Sequence, residues 1–370
     1  MRDADDGVSY VDHLSMRGAA GVSYAVTRME NDTLWVVKSP SLAPPCLSEC
    51  YALFWDNLPI LGLQPVQFQD VVTREERYLA VATVESLPIF HLLQSFLRKH
   101  DHIELCSGQN VEETNRFTGF DQLHLEVCAL PDFDLCDLDC RTSFLGRTFP
   151  FPLLLTGMTG GVLKGQQINL HLARAAVKCG LPMGVGSQRM ALENEAFAPL
   201  FQVKKHVPDV FLIGNLGVAQ LQGPSEKAVD LCKRAVEQIE ADALALHVNV
   251  LQELIQPEGD VTFSGFWDNL EKICAQLEVP VLVKEVGSGI DPRSALRLAE
   301  RGVAAIDLGG RGGTSWGYLE GLRSSELTGR QVGATFRDWG IPTAYALAAL
   351  DRQRIWLPKI ATGGIRNGLT

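Results

Sequence analysis

Short apolar runs alternate with helical patterns from residue 153 onward. The apolar runs cover residues 153–155, 183–185, 210–213, 243–246, 281–283, 304–308 and 359–361. Apolar residues at helical spacing lie between them, over residues 168–179, 225–240, 267–277, 294–301 and 344–352. A repeated strand and helix of this kind predicts a parallel sheet covered by helices.

Glycine and polar residues follow nearly every apolar run, in the strings GMTGG, GSQR, GNLG, HVN, KEVGSG, GGRGG and TGGIRNG. Parallel strands end at one edge of their sheet, so these residues are expected to share that edge. This pattern is typical of a TIM (β/α)8 barrel, whose active site is built from the βα loops. Seven strands precede Thr370, whereas a closed barrel has eight. We therefore expect a barrel that is truncated after its seventh strand.

Residues 1–97 have a different pattern and predict a small α+β domain ahead of a barrel domain at 98–370. Strands are expected at 21–28, 34–38 and 78–84, and an amphipathic helix at 49–55. A faint likeness to the small lobe of a protein kinase rests on Gly18, Gly21, Lys38 and Glu49. A third loop glycine and the H-R-D and D-F-G elements are missing, so phosphotransfer could not be completed. The function of this segment is left open.

Composition narrows the possible partners and compartment. The net charge of −11 and the lack of a basic block argue against a nucleic-acid surface. No apolar run approaches the length of a membrane span, and the acidic start does not resemble a signal peptide. Nine scattered cysteines fit reduced thiols. These features predict a cytoplasmic protein that binds neither nucleic acid nor membrane.

The strongest candidate site follows the strand at 243–246. His247 and Asn249 could donate hydrogen bonds to phosphate oxygens, and Glu253 is a hard oxygen ligand suited to Mg²⁺. Gln252 adds another polar group at the same strand end. A lone histidine at a strand end is more often structural, but four polar side chains at the mouth of a barrel favour a binding site.

Three further features have two readings each. Lys284 ends an apolar strand and could donate to the anionic edge of a reduced flavin or pair with Glu285. Trp316 could offer its π face to a carbocation or pack in the core. Gly363 and Gly364 could bring backbone N–H groups to a phosphate or form a plain tight turn.

Together, the motifs resemble the signature set of type 2 isopentenyl-diphosphate delta-isomerases. The resemblance covers residues 98–370 and rests on RKHDHI at 98–103, MTGG at 158–161, GSQR at 186–189, HVN at 247–249, LQE at 251–253, QPEGD at 256–260, VKEVG at 283–287, GGTSW at 312–316 and GGIRNG at 363–368.

The resemblance implies an FMN flavoprotein of isoprenoid biosynthesis that interconverts isopentenyl and dimethylallyl diphosphate. Reduced FMN would act as acid and base, Mg²⁺ would bind the diphosphate, and NAD(P)H would serve only to reduce the flavin. FMN would be held by Gly157, Met158, Thr159, Ser187, Asn215, Lys284, Thr314, Gly363 and Gly364. Substrate would be held by Arg98, Lys99, Ser187, Gln188, Arg189, His247, Asn249 and Gln252. Glu253 would bind the metal, and the catalytic residues would be Gln252, Lys284 and Trp316.

Two alternatives stay open at this point. An FMN-dependent 2-hydroxy-acid oxidase shares glycine loops and a strand-terminal lysine, but it needs a histidine beside an arginine, and the GGRGG loop has no neighbouring histidine. A truncated homologue without activity is the other. We expect a homo-oligomer that acts on a small diphosphate.

Overall fold

The computed structural model describes residues 14–18, 23–30, 33–37, 50–55, 58–65, 67–74, 77–83, 87–256 and 259–368, with side chains at residue 95 and from residue 98 onward. The chain divides into two compact units. One contains the described residues up to Arg98 together with residues 193–197, and the other contains residues 99–192 and the described residues from 198 onward.

The first unit contains an antiparallel sheet of seven strands. They are β1 (Leu14–Gly18), β2 (Ser23–Glu30), β3 (Thr33–Val37), β4 (Cys50–Trp55), β5 (Leu58–Pro65), β6 (Gln67–Arg74) and β7 (Arg77–Thr83), in the spatial order β5-β4-β1-β2-β3-β7-β6. The helix predicted at 49–55 is wrong, because β4 occupies this stretch and pairs with β1 and β5. Its sequence, CYALFW, is rich in the aromatic residues that favour strands. Gly21, Lys38 and Glu49 of the kinase likeness lie outside the described residues.

The second unit contains a parallel sheet with helices between its strands. Its strands, in sheet order, are β10 (Pro182–Gly184), β11 (Phe211–Gly217), β12 (Ala243–Val248), β13 (Val281–Glu285), β14 (Ala305–Asp307) and β15 (Lys359–Ile360). Leu155 adds the first predicted strand as a parallel bridge to Met183. The predicted α/β alternation is confirmed, and the described residues hold seven of the eight strand positions of a (β/α)8 barrel.

Helices precede and connect these strands, and five of them lie at the predicted helical patterns. They are α1 (Leu87–Gly108), α2 (Leu163–Cys179), α3 (Arg189–Glu193), α4 (Ser225–Ile239), α5 (Val250–Ile255), α6 (Phe266–Gln276), α7 (Pro292–Ala299), α8 (Trp316–Arg323), α9 (Leu327–Thr335) and α10 (Thr343–Arg352). The end of α2 is set by Gly180 in a left-handed conformation, and the start of α7 by the Asp291 side chain, which accepts from the Ser294 N–H. None of the described helices has both the length and the apolar composition needed to cross a membrane.

The two faces of the parallel sheet bury different side chains. Leu244 and Leu246 of β12 pack with the helices in the larger core. Ala243 and Ala245 of the same strand belong to a second core on the inner face, which Phe149 fills. Phe149 ends a hairpin of β8 (Thr142–Phe144) and β9 (Arg147–Phe149). The hairpin therefore closes the amino end of the inner face with apolar side chains, and polar groups are left to its carboxyl end.

Candidate functional site

Polar residues occupy the inner face where the central strands end. His247 of β12, Lys284 of β13 and Asp307 of β14 are neighbours in register across three strands. Side chains alternate along a strand, so these residues continue the inner-face positions of Ala245 and its neighbours. His247 Nδ1 lies 2.7 Å from Asn215 Oδ1, and the Asn215 amide donates to the Val185 carbonyl at 2.9 Å.

Lys284 is almost completely buried, with 6% of its surface exposed. Its Nζ donates to the backbone carbonyl of Glu285 at 3.3 Å, not to the Glu285 carboxylate. Burial lowers the pKa of the Lys284 ammonium group, while the carboxylates of Asp307 and Glu285 oppose that shift. The lysine is therefore held as a buried donor at the strand end.

The Glu285 carboxylate accepts hydrogen bonds from the loop that follows its own strand. Its Oε2 accepts from the backbone N–H groups of Val286 and Gly287 at 2.7 Å and of Ser288 at 2.5 Å. Burial raises the pKa of this carboxyl to about 7, against the lowering effect of those N–H groups and Lys284. The bonds give the loop one conformation beside the site.

Asn249, Gln252 and Glu253 come together after β12. Asn249 Nδ2 donates to Glu253 Oε1 at 2.8 Å and to Gln252 Oε1 at 3.3 Å. Glu253 Oε2 accepts from the Asp260 N–H at 2.9 Å. Asn249 Oδ1 is buried and has no hydrogen-bond partner among the residues that the structure describes. A carboxylate and an unsatisfied amide oxygen are the hard ligands that Mg²⁺ prefers, so this cluster fits such an ion.

Glu320 of α8 connects this cluster to His102 of α1. This residue was not identified from the sequence. It is fully buried on α8, and its Oε1 accepts from Gln252 Nε2 at 2.8 Å and lies 2.9 Å from His102 Nε2. Its Oε2 accepts from Arg323 at 2.6 Å. Trp316, one helical turn before Glu320, packs edge-on against His102 with ring centroids 5.1 Å apart. The W-x-x-x-E spacing places Trp316 and Glu320 on one face of the helix. This spacing is the sequence pattern that could have identified Glu320 as part of the site.

Glycines allow the loops at this edge to approach one another. A Cβ at Gly157 would lie 2.1 Å from the Val185 carbonyl oxygen. Gly363 has φ +104°, and its Cβ would lie 1.9 Å from the Gly310 carbonyl oxygen. Gly364, with φ +74°, meets Gly312 in the same way at 2.3 Å. These positions therefore require glycine, and the loops pack backbone against backbone at the carboxyl edge of the sheet.

The remaining predicted residues lie in these loops with different exposure. Met158 is half exposed, and the Thr159 carbonyl accepts from the Gly186 N–H at 2.7 Å and from Asn169. Thr314 forms an antiparallel bridge to Glu112. Ser187 Oγ accepts from the Arg189 N–H at 3.5 Å, which places both at the start of α3.

Gln188 is buried against α4 and β11 instead. It is fully buried, its Oε1 accepts from the Asn215 N–H at 3.0 Å, and its Nε2 donates to the Ala235 carbonyl at 2.8 Å. Lys99 lies over the Phe201 ring, with Nζ 5.8 Å from the centroid, and beside Gly161. Arg98 belongs to the other unit.

A shallow, partly open cleft lies between several of these groups. It is lined by Gln252, Glu285, Trp316 and Glu113, among others. Glu113 is nearly buried, its Oε1 accepts from the Gly312 N–H at 2.9 Å, and burial raises its pKa to about 7. The candidate site thus lies in βα loops at the carboxyl edge of a parallel sheet, where α/β enzymes bind their ligands.

Known proteins place this chain in a family. Isopentenyl-diphosphate delta-isomerase from Synechocystis sp. is 45% identical over 272 residues, which cover 74% of this chain and 77% of that protein. The isomerase of the same name from Pyrococcus abyssi is 44% identical over 282 residues, covering 75% and 76%. The chain therefore belongs to the isopentenyl-diphosphate delta-isomerase family, as its motifs predict, and is an isomerase. No family model matches it.

Two solved structures are similar to this chain at low identity. A mandelate oxidase variant with 2-hydroxy-phenylacetamide has a TM-score of 0.42 and 18% identity, covering 76% of this chain and 78% of that chain. A soluble mutant of the (S)-mandelate dehydrogenase from Pseudomonas putida has a TM-score of 0.39 and 17% identity, covering 66% and 87%. At this distance they do not support the oxidase alternative.

Proposed function

We propose that this chain interconverts isopentenyl diphosphate and dimethylallyl diphosphate, with reduced FMN and Mg²⁺ as cofactors. The reaction moves a proton between the two ends of an allylic unit and involves no net oxidation. NAD(P)H is proposed only as the reductant that prepares the flavin. The observation that carries the proposal is the placement of a buried lysine and a cluster of oxygen ligands at one strand edge.

Lys284 and the glycine loops at Gly157 and Gly363 fit a phosphate-bearing flavin. Glycine lets these loops pack backbone against backbone, since a Cβ at either position would meet a backbone carbonyl oxygen. Glycine loops of this kind can present N–H groups to a phosphate. The buried ammonium of Lys284 would donate to the anionic edge of the reduced ring. We name Lys284, Asp307 and the loops at 157–161, 309–314 and 362–364 the cofactor half of the site.

His247, Asn249, Gln252 and Glu253 form the second half, which we name the diphosphate half. The Asn215 amide oxygen accepts from His247 Nδ1, which orients the imidazole ring at the strand end where we propose that the diphosphate binds. Glu253, beside the unsatisfied Asn249 oxygen, would hold Mg²⁺. Lys99 and Arg189 are proposed to add positive charge for the diphosphate.

Gln252 and Trp316 would act at the reacting carbons. The bond to Glu320 fixes the orientation of the Gln252 amide beside the cleft, so that it can assist proton transfer. Trp316 lines the same cleft and would stabilise a carbocation through its π face. When bound, reduced FMN would supply the acid and base of the proton shift, and Mg²⁺ would neutralise the diphosphate.

An anaerobic assay tests this function. The protein is loaded with FMN, desalted, reduced with NADPH and mixed with isopentenyl diphosphate and Mg²⁺, and the products are separated by chromatography. We expect retained flavin absorbance and dimethylallyl diphosphate, with NADPH consumed only once per flavin. Flavin-independent turnover, or consumption of NADPH in step with product, would contradict the proposal. Retained flavin without product would favour the inactive homologue.

A further inference from the structure

Asp307 is a buried carboxylate of the cofactor half to which the proposed reaction assigns no role. Only 1% of its surface is exposed, and it ends β14 on the inner face of the sheet. Ionised carboxylates are rarely buried to this extent without donors around them. The groups that surround it therefore indicate what it does.

Three different loops donate to this carboxylate. The Thr156 hydroxyl, which precedes Gly157, donates to Oδ2 at 3.3 Å. The Gly309 N–H donates to Oδ1 at 3.3 Å. The Thr362 hydroxyl, which precedes Gly363, also donates to Oδ1, while it accepts from the Gly309 N–H at 3.0 Å. One side chain thus joins the loops that follow the first strand, β14 and β15.

Asp307 also lies beside the buried lysine. Lys284 is its partner in register on β13, and His247 lies on the other side of Lys284. Among the described residues, the carboxylates of Asp307 and Glu285 act on the charge of Lys284, and the Glu285 carboxylate is bonded to backbone N–H groups of the following loop. Asp307 is therefore the inner-face anion placed to balance the charge of Lys284.

We propose that Asp307 is the positioning residue of the cofactor half, which fixes its three glycine loops together and supplies the negative charge beside Lys284. The part of this inference that concerns flavin rests on the proposed function. The part that concerns the loops does not, because it follows from hydrogen bonds within the chain. The two parts can be tested separately.

Amide hydrogen exchange of the flavin-free protein tests the loops. In Asp307→Asn, we expect exchange at 156–161, 309–314 and 362–364 to rise together by about tenfold, as loss of a charged hydrogen-bond acceptor predicts. The matched control is Asp242→Asn, since Asp242 bonds the Leu212 N–H at 2.7 Å and Lys204 at the opposite end of the strands. Unchanged exchange in the three loops of Asp307→Asn would overturn the proposal.

Two single-hydroxyl variants keep this test decisive if Asp307→Asn unfolds. Thr156→Val should raise exchange only at 156–161, and Thr362→Val only at 309–314 and 362–364. A uniform rise along the whole chain in both variants, or no rise in either, would show that the carboxylate does not organise the loops.

Flavin titration tests the charge. We expect Asp307→Asn to bind FMN about a hundredfold more weakly, and its affinity to fall at a lower pH than in the wild type, because Lys284 loses its proton more easily without the neighbouring anion. Equal affinity and an equal pH profile would overturn this part. If the wild type binds no FMN, the proposed function fails, and hydrogen exchange still decides the role of Asp307 in the loops.

Discussion

The two halves of the site differ in how completely their polar groups are satisfied. In the cofactor half, Asp307 accepts from two hydroxyls and a backbone N–H, and Lys284 is buried beside it. Arg311 Nε of the same half has no hydrogen bond among the described residues, but it is paired with a carboxylate oxygen 3.6 Å away. In the diphosphate half, Asn249 Oδ1 has no hydrogen-bond partner within the described part of the chain. The same holds for the buried Nε2 of Gln256, which follows α5 beside this half. The first half is already organised by the chain, whereas the second has hydrogen-bonding capacity left for a ligand.

This difference has a physical consequence for ligand binding. A buried polar atom without a partner costs free energy, which a ligand or ion can recover by bonding to it. Substitutions in the diphosphate half should therefore act mainly on metal and substrate. Substitutions in the cofactor half should act on flavin retention and on the folded structure itself.

The largest expected effect is that of Glu253→Gln. Removing the charged ligand should lower kcat/KM by about 10³-fold, since a metal ion stabilises developing charge by several kcal/mol. The Mg²⁺ concentration needed for half-maximal activity should rise, while FMN remains bound. The measurement is turnover against Mg²⁺ concentration, with Glu271→Gln on the exposed face of α6 as the control. An unchanged Mg²⁺ dependence would remove Glu253 from the metal site.

Lys284→Met should have the opposite profile. Loss of a buried charged donor should weaken FMN binding by about 100-fold, because a hydrogen bond to a charged group contributes roughly 1.5–3 kcal/mol. Fluorescence titration of the flavin-free protein measures this, and binding of Mg²⁺ should not change. Lys272→Met, whose ammonium group bonds only Ser225 at the surface of α6, is the control. Equal FMN affinity in the two variants would contradict the division into halves.

Gly363→Ala tests whether the cofactor half is organised before ligand binds. The new Cβ would lie 1.9 Å from the Gly310 carbonyl oxygen at a backbone φ of +104°. We expect unfolding of the flavin-free protein in urea to become easier by about 3 kcal/mol, through combined strain and steric overlap. Gly368→Ala is the matched control, because no atom of the described residues outside its chain neighbours lies within 4 Å of the added Cβ. A loss of flavin affinity without loss of stability would instead assign Gly363 to phosphate contact alone.

The sequence predicted where the site residues lie on their strands better than it predicted their hydrogen-bond partners. Alternation along the strand placed Ala243, Ala245 and His247 on one face, so the polar strand end could be inferred without a structure. The bond between Thr156 and Asp307 joins residues 151 positions apart, and no local pattern contains that information. The short amphipathic stretch at 49–55 was assigned to the wrong element, since seven residues are too few to separate the helical period from a strand.

The smallest expected effect concerns Glu113 and pH. Burial raises the pKa of this carboxyl to about 7 from 4.5, so between these values the folded protein holds a proton that the unfolded chain has lost. Stability that depends on Glu113 should therefore fall as pH rises through this window, by about 1 kcal/mol once contact with the cleft solvent is allowed for. Urea unfolding of the wild type and Glu113→Gln from pH 4.5 to 8 measures the difference.

Glu112→Gln, the control, should give the opposite sign, because the hydrogen bond from Arg366 lowers the pKa of Glu112, and its contribution to stability is lost as pH falls. A Glu113 difference that does not change with pH would mean that this carboxylate stays ionised beside Arg311 and Gly312.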